Sequence, residues 1–336
     1  MNAPNDRQYP RRRASRTQLD ALLGQTIDDD LVIERPLGSG SHADVFLARQ
    51  RSIGDRKVAL KVLGRPYLAL RDADFRRGAH ALLREAAVLG LMRAHCFVQV
   101  HRTGTLPDGR PYVVLEYVDG SPLSAHVAAD ARLSAARVAG LAVQIATGLE
   151  EMHLRGFVHR DVTPANFLLG ADPLGRPQIK LIDFGTATRI SERADRYRVG
   201  YDIEHPLGTA GYMAPEQARG DVVDGRTDQF GLAGLCWELL FGVRPTAIVT
   251  PTQRAMLEFL RSDAAIPTAP PPRGHAVPEA LVAALLRGLA RDPAERFPTM
   301  REMAEAILRT TGEEASSGAS GGNWLGRLLG GRGNGR

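Results

Sequence analysis

HRDVTPAN at residues 159–166, followed after a Gly- and Pro-rich turn by DFG at residues 183–185, is the stretch that decides the fold. Asp161 can accept a proton, whereas Asn166 and Asp183 offer the hard oxygen ligands that Mg²⁺ prefers. Phosphoryl transfer needs such a set, because a hydroxyl must be oriented and charge on the β- and γ-phosphates neutralised. The two aspartates lie 22 residues apart, and both halves together are far more specific than either alone.

Size, charge and cysteine content limit the classes of protein to which the chain can belong. The chain has 336 residues, 43% of them hydrophobic, which is ample for a sizeable core and for about two domains or lobes. The net charge of +5 suits a polyanionic nucleotide, but no dense basic cluster indicates a nucleic-acid partner. Cys96 and Cys236 lack metal-ligand spacing, so we interpret them as buried free thiols in a reducing compartment.

The sequence contains no pattern typical of a secretion signal or a membrane anchor. Three arginines at residues 11–13 lead into a mixed polar segment without an apolar signal core. The most apolar run, Gly231 to Phe241, contains Glu238 and is too short to span a bilayer. We therefore expect a cytoplasmic protein with no transmembrane segment.

The order of the elements predicts an α+β fold with a small β-rich part before a larger helical part. The predicted strands are Leu31–Ile33, Asp44–Leu47, Val58–Leu63 and Tyr112–Leu115, the last entered through a hairpin turn at Pro107-Asp108-Gly109. The predicted helices are Phe75–Leu91, Leu133–Leu154, Asp228–Phe241, Pro278–Leu289 and Thr299–Leu308. The predicted boundaries are 27–118 for the β-rich part and 119–311 for the helical part, between segments expected to be disordered at 1–26 and 312–336.

Two features of the β-rich part are compatible with a nucleotide site. Gly38 and Gly40 lie in a turn between strands, where backbone N–H groups can approach phosphate oxygens. Taken alone, they are better explained by a plain hairpin turn. Lys61 lies in an apolar strand, so its burial costs free energy unless a carboxylate such as Glu85 pairs with it. The alternative for Lys61 is an edge-strand lysine that reaches water.

Three further charged residues carry little information when each is taken alone. Asp228 at the head of the most apolar helix is explained by helix capping. Glu216 and Arg296 are each compatible with an ordinary position on the protein surface. These three residues can therefore be interpreted only together with the motifs elsewhere in the sequence.

Taken in order, these pieces resemble the protein kinase family, in its eukaryotic-like (Hanks-type) bacterial Ser/Thr branch, over roughly residues 31–310. The resemblance implies a bilobal fold, with a small β-rich N-lobe containing one main helix and a larger α-helical C-lobe. It implies ATP and Mg²⁺ as cofactors, with Mn²⁺ as an alternative metal, and protein substrates of unknown identity. The matching residues are Gly38, Gly40, Val58–Lys61, Glu85, Leu115–Tyr117, 159–166, 183–185, 208–209, Ala214-Pro215-Glu216, Asp228 and Arg296.

The resemblance also assigns roles to individual residues. Asp228 would brace the loop of residues 159–166, and Arg296 would pair with Glu216. Lys61 would hold the α- and β-phosphates and pair with Glu85, and Asp161 would be the base that deprotonates the acceptor hydroxyl. Thr209 would contact Asp161 and help to seat that hydroxyl. The catalytic residues implied are Asp161, Lys61, Asn166, Asp183, Glu85 and Thr209, with Asn166 and Asp183 as the metal ligands. The nucleotide-binding residues implied are Leu37, Gly38, Gly40, Val45, Ala59, Lys61, Leu115, Glu116, Val118 and Asp183, among which Glu116 and Val118 present their backbone to adenine.

The chain departs from the family pattern at three places. Thr163 stands where Ser/Thr kinases usually carry a lysine, and Ala43 stands at the third glycine of the Gly-rich turn. In the activation segment between Gly185 and Gly208, charged residues stand where many bacterial receptor kinases have paired threonines. We hypothesise that Asp202 or Glu204 partly substitutes for a phosphate there. The sequence thus predicts a Ser/Thr protein kinase that also autophosphorylates. A pseudokinase scaffold and a small-molecule kinase are the alternatives, and homodimer formation is left open.

Overall fold

The computed structural model describes residues 22–40, 43–64, 67–68, 72–128, 133–189, 210–245, 253–264, 266 and 277–310. These residues form two compact units. The first comprises the described residues up to Leu91 together with Val98–Val118, and the second comprises Met92–Phe97 together with those from Asp119 onward. No helix within the described ranges is long and apolar enough to cross a membrane.

The first unit is built on a six-stranded antiparallel sheet in the order β1-β2-β3-β4-β6-β5. Its strands extend beyond the apolar runs that predicted them, because backbone pairing continues through polar residues at their ends. Leu22 is buried and Thr26 pairs with Val32, so residues 22–26, expected to be disordered, belong to this fold. The strands are β1 Thr26–Ile27, β2 Leu31–Ser39, β3 Ala43–Gln50, β4 Arg56–Leu63, β5 Val100–Thr105 and β6 Pro111–Glu116.

One face of this sheet carries the apolar core of the first unit. Successive side chains of a strand point to opposite faces, so each strand divides its residues between the two. The core face is lined by Leu31, Ile33, Phe46, Ala48, Val58, Leu60, Val62, Tyr112 and Val114. The opposite face therefore carries the intervening residues of β3, β4 and β6, which include Lys61.

The predicted hairpin and the predicted helix of the first unit are both present. Gly109 has a φ of 88° and its N–H donates to the Leu106 carbonyl at 2.9 Å, which closes the turn between β5 and β6. Helix α1, Asp72–Leu91, begins three residues before the predicted start at Phe75. It buries Leu82, Ala86 and Leu89 but leaves Leu83 41% exposed.

The second unit is mainly helical, and every helix predicted for it begins and ends within three residues of the expected position. Three short helices, at Leu123–Ala128, Pro215–Arg219 and Gln253–Arg261, were missed, because five to nine residues give too few turns for a periodic apolar pattern. The helices are α2 Leu123–Ala128, α3 Ala135–Leu154, α4 Pro215–Arg219, α5 Gly225–Phe241, α6 Gln253–Arg261, α7 Glu279–Gly288 and α8 Met300–Arg309.

Helix α5 is the centre of the second unit. Every residue from Thr227 to Phe241 is buried, as expected of a helix that is apolar on all sides. The helix packs against α3, α7 and α8. It ends at Gly242, which has a left-handed φ of 72°.

Short paired strands flank the HRDVTPAN and DFG motifs. Residues 159–166 follow β8, Phe157–Val158, and residues 183–187 precede β11, Thr188–Arg189, and these two strands pair with each other. Two strands, β9 at Phe167–Ala171 and β10 at Pro177–Leu181, lie between the two motifs and pair with each other. Strand β7, Ser121–Pro122, pairs with β9 and completes a three-stranded sheet in the order β10-β9-β7. The sheet pairing therefore brings the HRDVTPAN and DFG motifs side by side.

Candidate active site

Asp228 fixes the backbone at the start of the HRDVTPAN loop. It is 1% exposed, and its Oδ2 accepts hydrogen bonds from the His159 N–H at 2.9 Å and from His153 Nε2 at 2.7 Å. Its Oδ1 accepts from the Arg160 N–H at 2.7 Å. Burial acts to raise the pKa of Asp228, but these donors and the nearby histidines outweigh burial and lower it. Asp228 is therefore a carboxylate that ties α5 to the loop.

The capping role that sequence reasoning offered for Asp228 is wrong. The residue that caps α5 is Asp224, whose side chain accepts a hydrogen bond from the Arg226 N–H at 2.8 Å. Helix α5 begins at Gly225, three residues earlier than predicted, so Asp228 lies in its first turn. From there its carboxylate is free to bond the loop instead of its own helix.

His159 joins the two motifs. Its Nε2 donates to the Asp183 carbonyl at 2.7 Å, and its Nδ1 accepts from the Asp161 N–H at 3.2 Å, an arrangement that places the proton on Nε2. The ring is fully buried and meets the Phe184 ring edge-on, with 5.6 Å between centroids. The hydroxyl of Thr186 also donates to the His159 carbonyl at 2.7 Å. The relative position of Asp161 and Asp183 is thus set by one imidazole.

Asp161 presents one carboxylate oxygen that is already bonded and one that is not. Its Oδ2 accepts from Asn166 Nδ2 at 2.9 Å, and the same nitrogen donates to the Asp161 carbonyl at 2.8 Å. Its Oδ1 is buried and has no hydrogen-bond partner among the residues that the structure describes. Burial raises the pKa of Asp161. A buried acceptor without a partner is costly unless a donor arrives, and a substrate hydroxyl is such a donor.

Asn166 and Asp183 fit a hard divalent cation. Both contacts of Asn166 Nδ2 are with Asp161, which leaves the carboxamide oxygen as its ligand atom, and Asp183 Oδ1 accepts from the Gly185 N–H at 2.9 Å. Mg²⁺ is commonly held by one or two such side chains, with waters and substrate phosphates completing its shell. Within the described residues, no group of three or more His, Cys, Asp and Glu could hold a metal ion.

In the first unit, Lys61 is paired with Glu85. Lys61 Nζ lies 2.6 Å from Glu85 Oε1 and 2.8 Å from Oε2, and the side chains are 13% and 10% exposed. The alternative of an edge-strand lysine does not hold, because β4 lies between β3 and β6 in the sheet. The helix α1 therefore supplies the counter-charge for a lysine on the non-core face of the sheet.

Other residues that the resemblance assigned to nucleotide binding share the sheet face of Lys61. Directly opposite residues of an antiparallel pair lie on the same face, and Val45 is opposite both Gly38 and Lys61. Ala59, two residues before Lys61, is opposite Leu115. Glycine and apolar residues thus share the sheet face of Lys61, a mixture of apolar surface and a fixed charge that is typical of ligand sites.

The Gly-rich turn is closed by bonds within it. Ser39 Oγ donates to Asp44 Oδ1 at 2.6 Å, and the Gly40 N–H donates to the Ala43 carbonyl at 2.8 Å. Leu37, at the approach to the turn, is 38% exposed. The conformation of the turn is therefore stabilised by its own side chains and backbone.

Glu116 and Val118 lie at the end of the sheet. The Glu116 N–H donates to the Gln99 carbonyl at 2.8 Å, and the Glu116 carboxylate accepts from the Gln99 N–H at 3.1 Å. A contact between Glu116 and a purine base would therefore use the carbonyl of Glu116 and not its N–H. The predicted contact of Thr209 and the hypothesis on Asp202 and Glu204 lie outside the described residues.

Glu216 and Arg296 form a buried ion pair, so the interpretation of each as a surface residue is wrong. Arg296 Nη1 lies 2.7 Å from Glu216 Oε1 and Nη2 lies 2.9 Å from Oε2, with side chains 0% and 3% exposed. Arg296 also donates to the carbonyls of Ala290 and Arg226, both at 2.8 Å. A bidentate pair with its remaining donors satisfied holds the start of α4 against the end of the second unit.

Sequence reasoning missed several side-chain contacts within the second unit. Tyr212 donates its hydroxyl to Glu238 on α5, and Arg244 Nε lies 3.8 Å from the same carboxylate. A Cβ on Gly211 would lie 2.3 Å from Arg244 Nη1, so this arginine packs closely on the Ala210–Tyr212 turn. Neither contact carries a sequence signal, because the residues are joined only by the fold. Gln217 was missed too, although it directly follows Ala214-Pro215-Glu216.

The burial of Glu238 predicts a dependence of stability on pH. Glu238 is 9% exposed, and burial raises its pKa from 4.5 to about 7 despite Arg244. The folded protein holds this proton more tightly than the unfolded chain, so stability is lost as pH rises from about 4.5 through 7. The free energy of unfolding of Glu238→Gln should exceed that of the wild type by roughly 1–3 kcal/mol at pH 8, and the two should be equal at pH 4.

Urea denaturation at the two pH values measures this difference. Glu295→Gln, at an exposed position directly before Arg296, is the matched control and should behave as wild type at both. An equal effect of Glu238→Gln at pH 4 and pH 8 would contradict the assignment of the titration to Glu238.

Comparison with known proteins finds relatives of one kind. A family model described as "Protein kinase domain" matches residues 31–307. Serine/threonine-protein kinase PknB of Mycolicibacterium smegmatis is 34% identical over 289 residues, which cover 85% of this chain and 43% of that protein. PknB of Mycobacterium tuberculosis (strain H37Rv) is 34% identical over 276 residues, covering 81% of this chain and 41% of that protein. Serine/threonine-protein kinase Pkn1 of Myxococcus xanthus is 33% identical over 292 residues, with shares of 86% and 39%. The chain thus spans about two fifths of the length of these curated relatives.

Proposed function

The chain belongs to the protein kinase family, and on that premise we propose that it transfers the γ-phosphoryl group of Mg·ATP to serine and threonine hydroxyls of proteins. The observation that carries this proposal is the Oδ1 atom of Asp161, a buried acceptor without a partner among the described residues. A pseudokinase has no need to keep such an acceptor on a loop fixed by Asp228 and His159. The names of the relatives support the Ser/Thr class of acceptor.

In the proposed reaction, Asp161 Oδ1 accepts the proton of the attacking hydroxyl, while Asn166 keeps the carboxylate in place through Oδ2. Burial raises the pKa of Asp161, which makes its carboxylate a stronger proton acceptor. Lys61, held by Glu85, contributes a fixed positive charge for the α- and β-phosphates. Asn166 and Asp183 would hold the metal ion, which when bound neutralises charge on the phosphates.

Thr163 gives the proposal its main departure from the family pattern. It is 6% exposed and lies two residues past Asp161, where the family usually carries a lysine. A hydroxyl can donate a hydrogen bond to a phosphate oxygen, although more weakly than an ammonium group. We propose that transfer proceeds with this weaker donor, and that Lys61 supplies the positive charge.

The cellular setting follows from the same proposal. We propose ATP with Mg²⁺, or with Mn²⁺ in its place, as the cofactors, and serine- and threonine-containing proteins as the substrates, this chain included. The cytoplasm is the proposed compartment, because ATP is abundant there and both cysteines are buried free thiols. Formation of a homodimer stays a prediction.

The class of acceptor is tested by supplying γ-labelled ATP with Mg²⁺ or Mn²⁺ to the protein and a panel of acceptors. The panel contains dephosphorylated casein, free sugars and aminoglycosides, and labelled protein is hydrolysed to identify the modified amino acid. The proposal expects phosphoserine and phosphothreonine, on casein or on the chain itself. Label on a sugar or an aminoglycoside would favour a small-molecule kinase, and bound nucleotide with no label anywhere would favour a scaffold.

A further inference from the structure

Arg160, immediately before Asp161, has a strained backbone. Its φ is 67°, in the left-handed region that side chains other than glycine rarely adopt. Such a conformation costs of the order of 1 kcal/mol or more and persists only where the surroundings determine it. The position of the Asp161 carboxylate therefore depends on whatever holds Arg160.

Both peptide groups that flank Arg160 are bonded by side chains. In the preceding peptide, the His159 carbonyl accepts from Thr186 Oγ1 at 2.7 Å, and the Arg160 N–H donates to Asp228 at 2.7 Å. In the following peptide, the Asp161 N–H donates to His159 Nδ1 at 3.2 Å. The remaining group is the Arg160 carbonyl, and it accepts from Gln217 Nε2 at 3.0 Å.

The carboxamide of Gln217 has only one orientation that satisfies its contacts. Its Oε1 accepts from the Ala214 N–H at 3.1 Å, which cannot act as an acceptor, and its Nε2 faces the Arg160 carbonyl, which cannot act as a donor. Gln217 lies on α4, directly after the Ala214-Pro215-Glu216 segment that Arg296 anchors. The side chain thus links the ion-paired start of α4 to the peptide that precedes the base.

We propose that Gln217 is a positioning residue for Asp161. Because a peptide group is planar, holding the Arg160 carbonyl from α4 and the Asp161 N–H from His159 fixes the plane that leads into the reactive side chain. Loss of the Gln217 bond would let Arg160 relax its φ and move Asp161. This inference rests on the proposed function, in which Asp161 is the base.

The substitution Gln217→Glu tests the bond selectively. The carboxylate of the variant still accepts from the Ala214 N–H at the start of α4, but it places a negative oxygen against the Arg160 carbonyl. The bond to Arg160 is therefore lost, and the bond to Ala214 is kept. Gln217→Ala removes both contacts, and Gln178→Glu, at a half-exposed position of β10, adds the same charge as a matched control. The variants are compared by kcat, by KM for ATP, and by hydrogen exchange of the backbone amides in residues 157–166.

We expect Gln217→Glu to lower kcat roughly 10- to 100-fold, the cost of misplacing a reacting group by about an ångström. The KM for ATP should stay unchanged. The deficit should shrink as pH falls, because the protonated carboxyl can donate to the Arg160 carbonyl again. Amide exchange at Asp161 should accelerate in Gln217→Glu and stay at the wild-type rate in Gln178→Glu.

Two results would overturn the inference. One is wild-type kcat in Gln217→Glu together with a lowered kcat in Gln217→Ala, since only the cap of α4 would then matter. The other is wild-type amide exchange in Gln217→Glu. If the wild-type protein transfers no phosphoryl group at all, the proposed function fails, and amide exchange alone then decides whether Gln217 holds the loop.

Discussion

Lys61→Met is expected to lower kcat/KM for ATP by roughly 10²–10³-fold, the usual cost of removing one preorganised charge from a site that stabilises developing anions. The side chain of Lys61 is 13% exposed, and its ammonium group is held by both oxygens of Glu85. A charge fixed in this way needs no reorganisation when the phosphates arrive. Methionine keeps most of the length of the unbranched side chain but removes its charge and its hydrogen-bond donors.

Two further variants isolate the charge of Lys61 from its structural role. Lys57→Met changes an exposed lysine of the same strand and should leave kcat/KM within about twofold of wild type. Lys61→Met combined with Glu85→Gln removes the unpaired carboxylate, so it should recover stability without recovering activity. Recovery of activity in the double variant, or an equal loss in Lys57→Met, would show that the charge of Lys61 is not used.

Arg296→Met is expected to destabilise the protein by roughly 3–5 kcal/mol, because it leaves the Glu216 carboxylate buried without its partner. Such a loss is a large fraction of the 5–15 kcal/mol that typically separates folded from unfolded protein. Arg296 is fully buried, donates to three backbone carbonyls besides Glu216, and lies over the Phe230 ring at 5.2 Å. The change removes all of these contacts at once.

Denaturant unfolding measures the effect against two controls. Arg301→Met, at an exposed position of α8, should change the free energy of unfolding by less than about 0.5 kcal/mol. Replacing both partners, Glu216→Leu with Arg296→Met, should recover part of the loss, since no charge is then left unpaired. A cost below about 1 kcal/mol for Arg296→Met alone would contradict the role of the pair.

The sequence was most informative where a residue pattern is local and long. Apolar residues at helical spacing predicted α3, α5, α7 and α8 to within three residues, and short β-rich runs between turn residues predicted the central strands. The hairpin at Pro107-Asp108-Gly109 was predicted from its turn residues, and Gly109 adopts the positive φ that such a turn requires. Local chemistry determined these elements, so a single chain was enough to find them.

Roles set by the tertiary structure could not be predicted in the same way. Asp228 taken alone had the residue type and position of a helix cap, and only the resemblance indicated that it braces the loop. The packing of α5 under the loop shows that it does so by bonding His159 and Arg160. No local sequence pattern links Gln217 or Glu238 to its partner, which lies 57 or 26 residues away in the chain. The pairing of Glu216 with Arg296, 80 residues apart, was suggested only by the resemblance.

The most direct test of the account is the rate of γ-phosphoryl transfer by the wild-type protein and by Asp161→Asn at saturating Mg·ATP, with nucleotide affinity measured in parallel. Asparagine keeps the shape of the side chain and removes the proton acceptor at Oδ1. We predict a fall in kcat of roughly 10²–10⁴-fold, the contribution of a general base, with nucleotide affinity within about threefold of wild type. Transfer by Asp161→Asn at the wild-type rate, or nucleotide binding by the wild-type protein without any transfer, would contradict it.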